Sequence, residues 1–165
     1  MSLPSVEELT ERLDAVRVAI GRVDRPWEHP VSIVAVTKGF GPEAIELAVE
    51  AGCTAVGENY AQELIAKREA IERARAEHST SVHFIGHLQR NKVRQLAGLV
   101  DLWETIDRSS VAAEIARRRP DARVLVQVNA TGEDAKSGCV PDGVAPLVAE
   151  LRALGLDVAG LMTIG

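Results

Sequence analysis

A lysine closes the apolar run SIVAVTKGF at residues 32–40. Lysine is seldom buried, so on its position alone Lys38 is most simply a solvated side chain at the end of a strand. The alternative is a desolvated neutral amine, which is the nucleophile that attacks a carbonyl group and forms a Schiff base. Lys38 is therefore the first candidate for covalent chemistry in this chain.

Three polar side chains further along the chain are candidates for ligand binding. Asn59 lies in the stretch GENYAQE and either caps a helix or donates a hydrogen bond to a ligand oxygen. His83 begins the stretch HFIGHLQRNK and is either a hydrogen-bonded core histidine or a residue that faces a ligand. Lys136 lies in ATGEDAKSG, a segment that is long for a loop between a strand and a helix. Such loops are often functional, so Lys136 is a candidate as well.

The sequence lacks the patterns of several common catalytic and metal sites. It contains no glycine-rich phosphate loop, no Gly-x-Ser-x-Gly nucleophile motif and no carboxylate pair that is typical of a hydrolase. Its two cysteines, Cys53 and Cys139, are far apart and belong to no Cys-x-x-Cys pair, so we expect no zinc site. A disulfide between them stays open, but free thiols in a cytoplasmic protein are the better interpretation.

Helices and strands alternate along the chain and must position these candidates. The first helix begins with a capping box of Ser5 and Glu8 and carries apolar residues at helical spacing as far as Ile20. The apolar runs that predict strands cover residues 31–37, 53–57, 82–86, 100–106, 123–129 and 157–165. The helices between them are predicted between Gly41 and Gly52 and over residues 59–78, 91–98, 108–119 and 141–155.

This alternation indicates an α/β fold with a parallel sheet and crossover helices. Polar and glycine-rich residues follow directly after the predicted strands, for example at Lys38, Asn59 and Asn129. In parallel α/β folds the carboxyl ends of the strands form the ligand-binding edge, whether the sheet is a closed barrel or an open sheet. We therefore expect the candidate residues to lie together at this edge.

The composition favours a soluble globular domain over several other classes of protein. The 165 residues are 46% hydrophobic and 3% aromatic and carry a net charge of −5. An acidic chain with few aromatic side chains is a poor candidate for general nucleic-acid binding. RNA or protein binding through Arg90, Lys92 and Arg94 is kept as an alternative to a solvated basic face. The acidic N-terminus and the lack of a long apolar run predict a cytoplasmic protein without a membrane partner.

Five stretches, in their order along the chain, resemble motifs of the pyridoxal phosphate homeostasis protein family. They are AVTKGF, GENYAQE, HFIGHLQRNK, QVNATGEDAKSG and GLMTIG. The resemblance runs from about Val31 to Gly165 and so covers most of the chain. It implies a (β/α)8 barrel of the TIM-barrel type, similar to the N-terminal barrel of alanine racemase and to fold type III pyridoxal phosphate proteins.

The resemblance also implies a cofactor and the residues that would contact it. Pyridoxal 5′-phosphate would be carried as a Schiff base on Lys38, with Lys136 as a second lysine able to accept the aldehyde. The complete set of implied cofactor-binding residues is Lys38, Asn59, His83, Lys136, Met162 and Thr163. Family members are regarded as cofactor carriers in vitamin B6 and amino-acid homeostasis without established catalysis, so no catalytic residue is expected. The implied partners are the cofactor itself and apo enzymes that receive it, and the chain is expected to be a monomer.

Two further expectations concern the reaction and the extent of the barrel. A racemase or lyase that uses Lys38 is the alternative, but a barrel without a second domain lacks a residue on the opposite face of a substrate. Only six βα units are predicted here, whereas the family barrel has eight and holds the cofactor phosphate with its last segments. We therefore expect residues 1–165 to form a single barrel domain, truncated at its C-terminal end, that retains the cofactor weakly or not at all.

Overall fold

Helices alternate with parallel strands throughout residues 3–133 and 136–164, which the computed structural model describes. The strands are β1 (Ala35–Val36), β2 (Ala55–Glu58), β3 (Ser81–Phe84), β4 (Leu102–Ile106), β5 (Arg123–Gln127) and β6 (Asp157–Met162). The helices are α1 (Val6–Gly21), α2 (Glu43–Glu50), α3 (Ala61–Ala66), α4 (Arg68–His78), α5 (Val93–Leu96), α6 (Ser109–Arg118) and α7 (Val144–Ala153). Short 3-10 turns at Arg90–Lys92 and Pro141–Gly143 precede α5 and α7.

The order of the strands in the sheet is their order in the chain. Every neighbouring pair from β1 to β6 is parallel. A doubly wound open sheet reverses its strand order part of the way along, whereas a barrel adds each strand next to the preceding one. The predicted fold class, a TIM-barrel type with six βα units, is therefore confirmed. In the described part of the chain, β1 and β6 form the two edges of the sheet.

The hydrophobic core fills the space between the sheet and the helices. Phe84 of β3 and Trp103 of β4 point into it, are fully buried, and have ring centroids 6.2 Å apart. Successive side chains of a strand point to opposite faces. Their chain neighbours His83 and Glu104 therefore point to the other face, towards the inside of the barrel. This inner face is the one that can carry a ligand.

The N-terminal helix agrees with its prediction, but the strand after it is much shorter than predicted. The Ser5 hydroxyl accepts a hydrogen bond from the amide of Glu8 at 3.2 Å, and the Glu8 carboxylate accepts one from the amide of Ser5 at 3.0 Å. Of the predicted strand over residues 31–37, only β1 forms ladder pairs, with Val56 and Gly57 of β2. Among the described residues, only two of this apolar run form ladder pairs, so the run overestimates the length of the strand.

The single long helix predicted over residues 59–78 is wrong. The segment forms two helices, α3 and α4, which meet at Lys67, where φ is −93° and ψ is 9°. The backbone hydrogen bonds of Lys67 are nevertheless helical. Its amide donates to the carbonyl of Glu63, and its carbonyl accepts from the amide of Ile71, both at 3.0 Å. The break falls at a lysine whose side chain is buried against β2, a contact that helical periodicity does not reveal.

Two other predicted elements differ in extent. The predicted helix over residues 91–98 is a 3-10 turn followed by the single turn of α5. The last strand was predicted to continue to Gly165, which lies outside the described residues, and β6 ends at Met162. Across the described residues, each helix is too short or too polar to cross a membrane.

The two cysteines are free thiols, and we expect them to react slowly in the native chain. Desolvation raises the pKa of the Cys53 thiol and of the Cys139 thiol, which lowers the fraction of reactive thiolate at pH 8. We expect the buried Cys53 to be alkylated by iodoacetamide about tenfold or more slowly in the native chain than in urea. Mass spectrometry of the two cysteine peptides measures both rates. Equal rates in native and unfolded protein would contradict the burial of Cys53.

Candidate functional site

A cavity of about 510 Å³ lies at the carboxyl ends of the strands. Its apolar wall consists of Val34, Val36, Ile85, Val128, Met162 and Ile164. Its polar lining includes Lys38, Asn59, His87, Glu104, Asn129 and Lys136. An apolar wall with a few polar groups, in a cavity of this volume, is typical of a site for a small organic ligand.

Four of the six predicted cofactor-binding residues line this one cavity. They are Lys38, Asn59, Lys136 and Met162, which come from the ends of four different strands or the loops that follow. As far as the described residues show, the lining does not include His83 or Thr163. The sequence motifs therefore lie together in space, as the parallel sheet requires. His83 and Thr163 contact residues of the lining instead of lining the cavity themselves.

His83 reaches the cavity through a glutamate. Its Nδ1 lies 2.6 Å from Oε1 of Glu104, which lines the cavity, and its Nε2 lies 3.1 Å from the hydroxyl of Ser81. These two contacts hold the imidazole in one orientation on the inner face of the sheet. Sequence reasoning missed Glu104, although its alternation with buried Trp103 in VDLWETI placed it on the inner face.

Thr163 fastens the end of the last strand. Its hydroxyl donates a hydrogen bond to the carbonyl of Val128 at 3.1 Å, and the amide of Val128 donates to the carbonyl of Met162 at 2.9 Å. These two bonds join the chain after β6 to the chain after β5. They hold the side chain of Met162 in the wall of the cavity.

Lys38 occupies the second position of a tight turn that follows β1. The amide of Phe40 donates a hydrogen bond to the carbonyl of Thr37 at 3.3 Å, and Gly39 has φ of +78°. A turn with positive φ at its third position strongly favours glycine there, which explains the Lys-Gly pair in the sequence. Lys38 is exposed, so the desolvated amine of the sequence-based hypothesis is wrong.

A buried ion pair lies directly behind the Lys38 turn. The ammonium of Lys67 lies 2.5 Å from Oε1 of Glu58 and donates a hydrogen bond to the carbonyl of Thr37 at 2.8 Å. The Thr37 hydroxyl donates to the same Glu58 oxygen at 2.6 Å. Both charged side chains are almost fully buried. The cluster thereby joins the end of β1, before Lys38, to the end of β2, before Asn59.

Gly86 brings the ends of β2 and β3 into close contact. A Cβ atom placed on Gly86 would lie 1.8 Å from the carbonyl oxygen of Asn59. The hydroxyl of Thr105, on β4, donates a hydrogen bond to the carbonyl of Gly86 at 2.5 Å. Three neighbouring strand ends are therefore locked together beside the cavity, and only glycine fits at the contact.

The loop that carries Lys136 is organised by an asparagine at the end of β5. The side-chain amide of Asn129 donates hydrogen bonds to the carbonyl of Glu133 at 2.8 Å and to the carbonyl of Lys136 at 3.4 Å. The Lys136 ammonium lies 3.0 Å from the Glu133 carboxylate. Two residues of this loop, Asp134 and Ala135, lie outside the described residues. Asn129 and Glu133, which belong to the same motif NATGEDAK, thus hold Lys136 in place.

The basic stretch around Arg90 and Arg94 is part of an arginine cluster around a single glutamate. Glu114 pairs with Arg117, with Arg118 at 2.9 Å and with Arg90 at 3.9 Å. The hydrogen bond from Arg118, together with the contact to Arg117, holds the pKa of the Glu114 carboxyl below its usual value. The charge of this surface is thus partly neutralised within the chain itself.

The arrangement suits covalent capture of a carbonyl compound more than metal chemistry. Two primary amines, on Lys38 and Lys136, line one apolar-walled cavity, and a primary amine condenses with an aldehyde. Among the described residues, no cluster of three or more histidine, cysteine, aspartate and glutamate side chains could hold a metal ion.

The sequence matches the family of the alanine racemase N-terminal domain over residues 12–165. The pyridoxal phosphate homeostasis protein of Vibrio cholerae is 36% identical over 166 residues, which cover 97% of this chain and 68% of that protein. The protein of the same name from Aquifex aeolicus is 35% identical, with coverage of 96% of this chain and 69% of that protein. These relatives are named as homeostasis proteins rather than as enzymes.

Solved structures of similar proteins have the same fold. An unknown protein from Bifidobacterium adolescentis aligns with a TM-score of 0.80 at 33% identity, covering 97% of this chain and 68% of that chain. PipY from Synechococcus elongatus, solved with PLP bound, aligns with a TM-score of 0.74 at 25% identity, covering 95% of this chain and 70% of that chain. The matched domain, the curated relatives and the sequential strand order agree, and the chain belongs to the pyridoxal phosphate homeostasis protein family.

Proposed function

We propose that this protein binds pyridoxal 5′-phosphate in the cavity at the strand ends and carries it covalently on Lys38. The observation that supports this most directly is the position of Lys38, at the second residue of a fixed turn on the rim of an apolar-walled cavity. The names of the relatives and the PLP-bound structure of PipY support the identity of the ligand.

The residues around the cavity fit this cofactor. The apolar wall, with Ile85 and Met162, suits the faces of a pyridine ring, and the volume suffices for a ligand of that size. When bound, the cofactor supplies an aldehyde that a primary amine can attack. Lys38 provides that amine, and its nitrogen bonds to the aldehyde carbon while water leaves. Asn59 can donate a hydrogen bond to a ligand oxygen from its place in the lining.

The remaining predicted residues support cofactor binding in this proposal. Lys136 is the second amine in the lining and the acceptor to which the aldehyde can move. His83 acts by orienting Glu104, at 2.6 Å, and Thr163 acts by holding the chain that carries Met162. None of these residues needs to take part in turnover of a substrate.

At the level of the cell, we propose a carrier that limits the free aldehyde and supplies apo enzymes, in vitamin B6 and amino-acid homeostasis. We place it in the cytoplasm, which the two free thiols favour, and describe residues 1–165 as one cofactor-binding barrel domain acting as a monomer. We assign it no catalytic reaction. Steady turnover of an amino acid that Lys38→Ala abolishes would contradict that assignment.

Reductive trapping tests the covalent link, even if the cofactor is retained weakly. The chain is incubated with saturating pyridoxal phosphate and treated with borohydride, which adds hydride to the new C=N bond and leaves a stable secondary amine. We expect the label on the Lys38 peptide by mass spectrometry. In a Lys136→Ala background, which removes the second amine of the cavity, we expect Lys38→Ala to lower the total label about tenfold or more. Lys92→Ala is the control for general lysine reactivity. Equal total labelling of the Lys136→Ala variant with and without Lys38→Ala would overturn the proposal.

A further inference from the structure

We propose that Glu63 and Lys67, four residues apart across the junction of α3 and α4, are positioning residues that set the geometry of Lys38 for its reaction with an aldehyde. The proposal rests on the function proposed above. It adds two residues to which the sequence analysis gave no role, although Glu63 ends the motif GENYAQE, and neither lines the cavity in the described part of the chain.

The two side chains hold the residues on either side of Lys38. The amide of Gly39 donates a hydrogen bond to Oε2 of Glu63 at 2.8 Å. The ammonium of Lys67 donates one to the carbonyl of Thr37, also at 2.8 Å. The chain is therefore tethered immediately before and immediately after Lys38. The Glu63 carboxylate and the Lys67 ammonium are themselves 3.9 Å apart, so the two tethers form one unit.

In the described part of the chain, the sheet supports the turn through β2, and the last bond before Lys38 runs from the amide of Thr37 to the carbonyl of Gly57 at 3.0 Å. β1 has two residues and pairs only with β2 in the described part of the chain. The bond that closes the turn, from the amide of Phe40 to the carbonyl of Thr37, is 3.3 Å long, slightly longer than the usual range. A reactive group attacks efficiently only when it is held near the geometry of the reaction. The side chains of Glu63 and Lys67 add a restraint on the residues beside Lys38 that does not come from the sheet.

The two tethers differ in burial, and this difference provides a clean test. The Lys67 side chain is 3% exposed and is paired with Glu58, so its removal leaves a buried charge alone. The Glu63 side chain is 32% exposed. Replacing Glu63 by alanine therefore removes the tether on Gly39 without creating an unpaired buried charge. We expect the thermal unfolding midpoint of Glu63→Ala to stay close to that of the wild type.

The experiment follows the rate at which Lys38 reacts. The chain is mixed with a series of pyridoxal phosphate concentrations, quenched with borohydride at increasing times, and the labelled Lys38 peptide is quantified by mass spectrometry. The limiting rate reports the placement of the amine, and the half-saturating concentration reports the initial binding. We expect Glu63→Ala to lower the limiting rate about tenfold while the half-saturating concentration changes less than about twofold.

Two further variants separate positioning from general effects. Glu63→Gln keeps an oxygen that can accept the Gly39 hydrogen bond, so we expect it to restore the rate to within about threefold of the wild type. Glu69→Ala, at an exposed glutamate of α4, should react like the wild type. A wild-type rate in Glu63→Ala, or a Gln variant as slow as the Ala variant, would overturn the inference. Absence of label on Lys38 in the wild type would instead refute the proposed function.

Discussion

Lys67→Met is expected to lower the free energy of unfolding by about 3–5 kcal/mol. The substitution keeps a flexible apolar stem of similar length but removes the ammonium that faces Glu58 at 2.5 Å. The Glu58 carboxylate has no exposed surface, and its second oxygen already lacks a hydrogen-bond partner among the described residues. In the variant, the folded state must bury the Glu58 carboxylate without a cation beside it, which raises the free energy of the folded state. Because a domain is stable by only about 5–15 kcal/mol, the variant should lose a large part of its stability.

Urea unfolding followed by circular dichroism measures this loss. Arg68→Met is the matched control, since it removes the neighbouring cation, whose partner Glu72 lies 3.6 Å away on the surface. An exposed pair of this kind contributes at most about 1 kcal/mol. Adding Glu58→Gln to Lys67→Met removes the lone charge while leaving an oxygen for the Thr37 hydroxyl, and should recover most of the stability. If Lys67→Met cost no more than Arg68→Met, the buried pair would not have the importance argued above.

Gly86→Ala is expected to lower the free energy of unfolding by about 3 kcal/mol and to disturb the cavity as well. The added methyl group would lie 1.8 Å from the carbonyl oxygen of Asn59, and that contact is with backbone, so no side-chain rotation relieves it. The ends of β2 and β3 must then separate. Since Asn59 and Ile85 both line the cavity, the separation changes its wall.

Gly98→Ala is the matched control for this glycine. A Cβ atom on Gly98 meets nothing within 4 Å, and its φ is not in the left-handed region. Thermal unfolding of the two variants measures the stability, and reductive trapping of Lys38 measures the site. We expect Gly98→Ala to behave as the wild type in both. A Gly86→Ala protein with wild-type stability and labelling would show that the two strand ends can move apart at little cost.

Local sequence patterns predicted most of the architecture. The capping box of Ser5 and Glu8, the glycine after α2 and the apolar runs located the elements because each signal lies within a few residues. The limits of β1 and the division between α3 and α4 were not predictable in this way. They depend on partners elsewhere in the chain. The ladder of β1 among the described residues is with β2, and the division between α3 and α4 coincides with the contact of Lys67 with Glu58.

The same distinction applies to the site. Lys38, Asn59, Lys136 and Met162 meet at one cavity because a parallel sheet brings the residues after its strands to one edge. The parts of Glu63 and Glu104 could not be read from the sequence. Each acts through a hydrogen bond to a residue more than 20 positions away, Gly39 in one case and His83 in the other. In the sequence, nothing distinguishes these two glutamates from glutamates that lie on the surface.

The sequential order of the strands has a consequence for assembly during synthesis. Each strand from β2 to β6 pairs with the strand made immediately before it, so its partner has already left the ribosome when it emerges. Each connection between consecutive strands contains helix and closes a shorter loop than pairing with a more distant strand would, so pairing in chain order costs less chain entropy. The sheet is thus expected to grow vectorially, one βα unit at a time from the N-terminal side. The residues of the Lys38 turn and of its tethers, Glu63 and Lys67, would then leave the ribosome before those of β4 to β6.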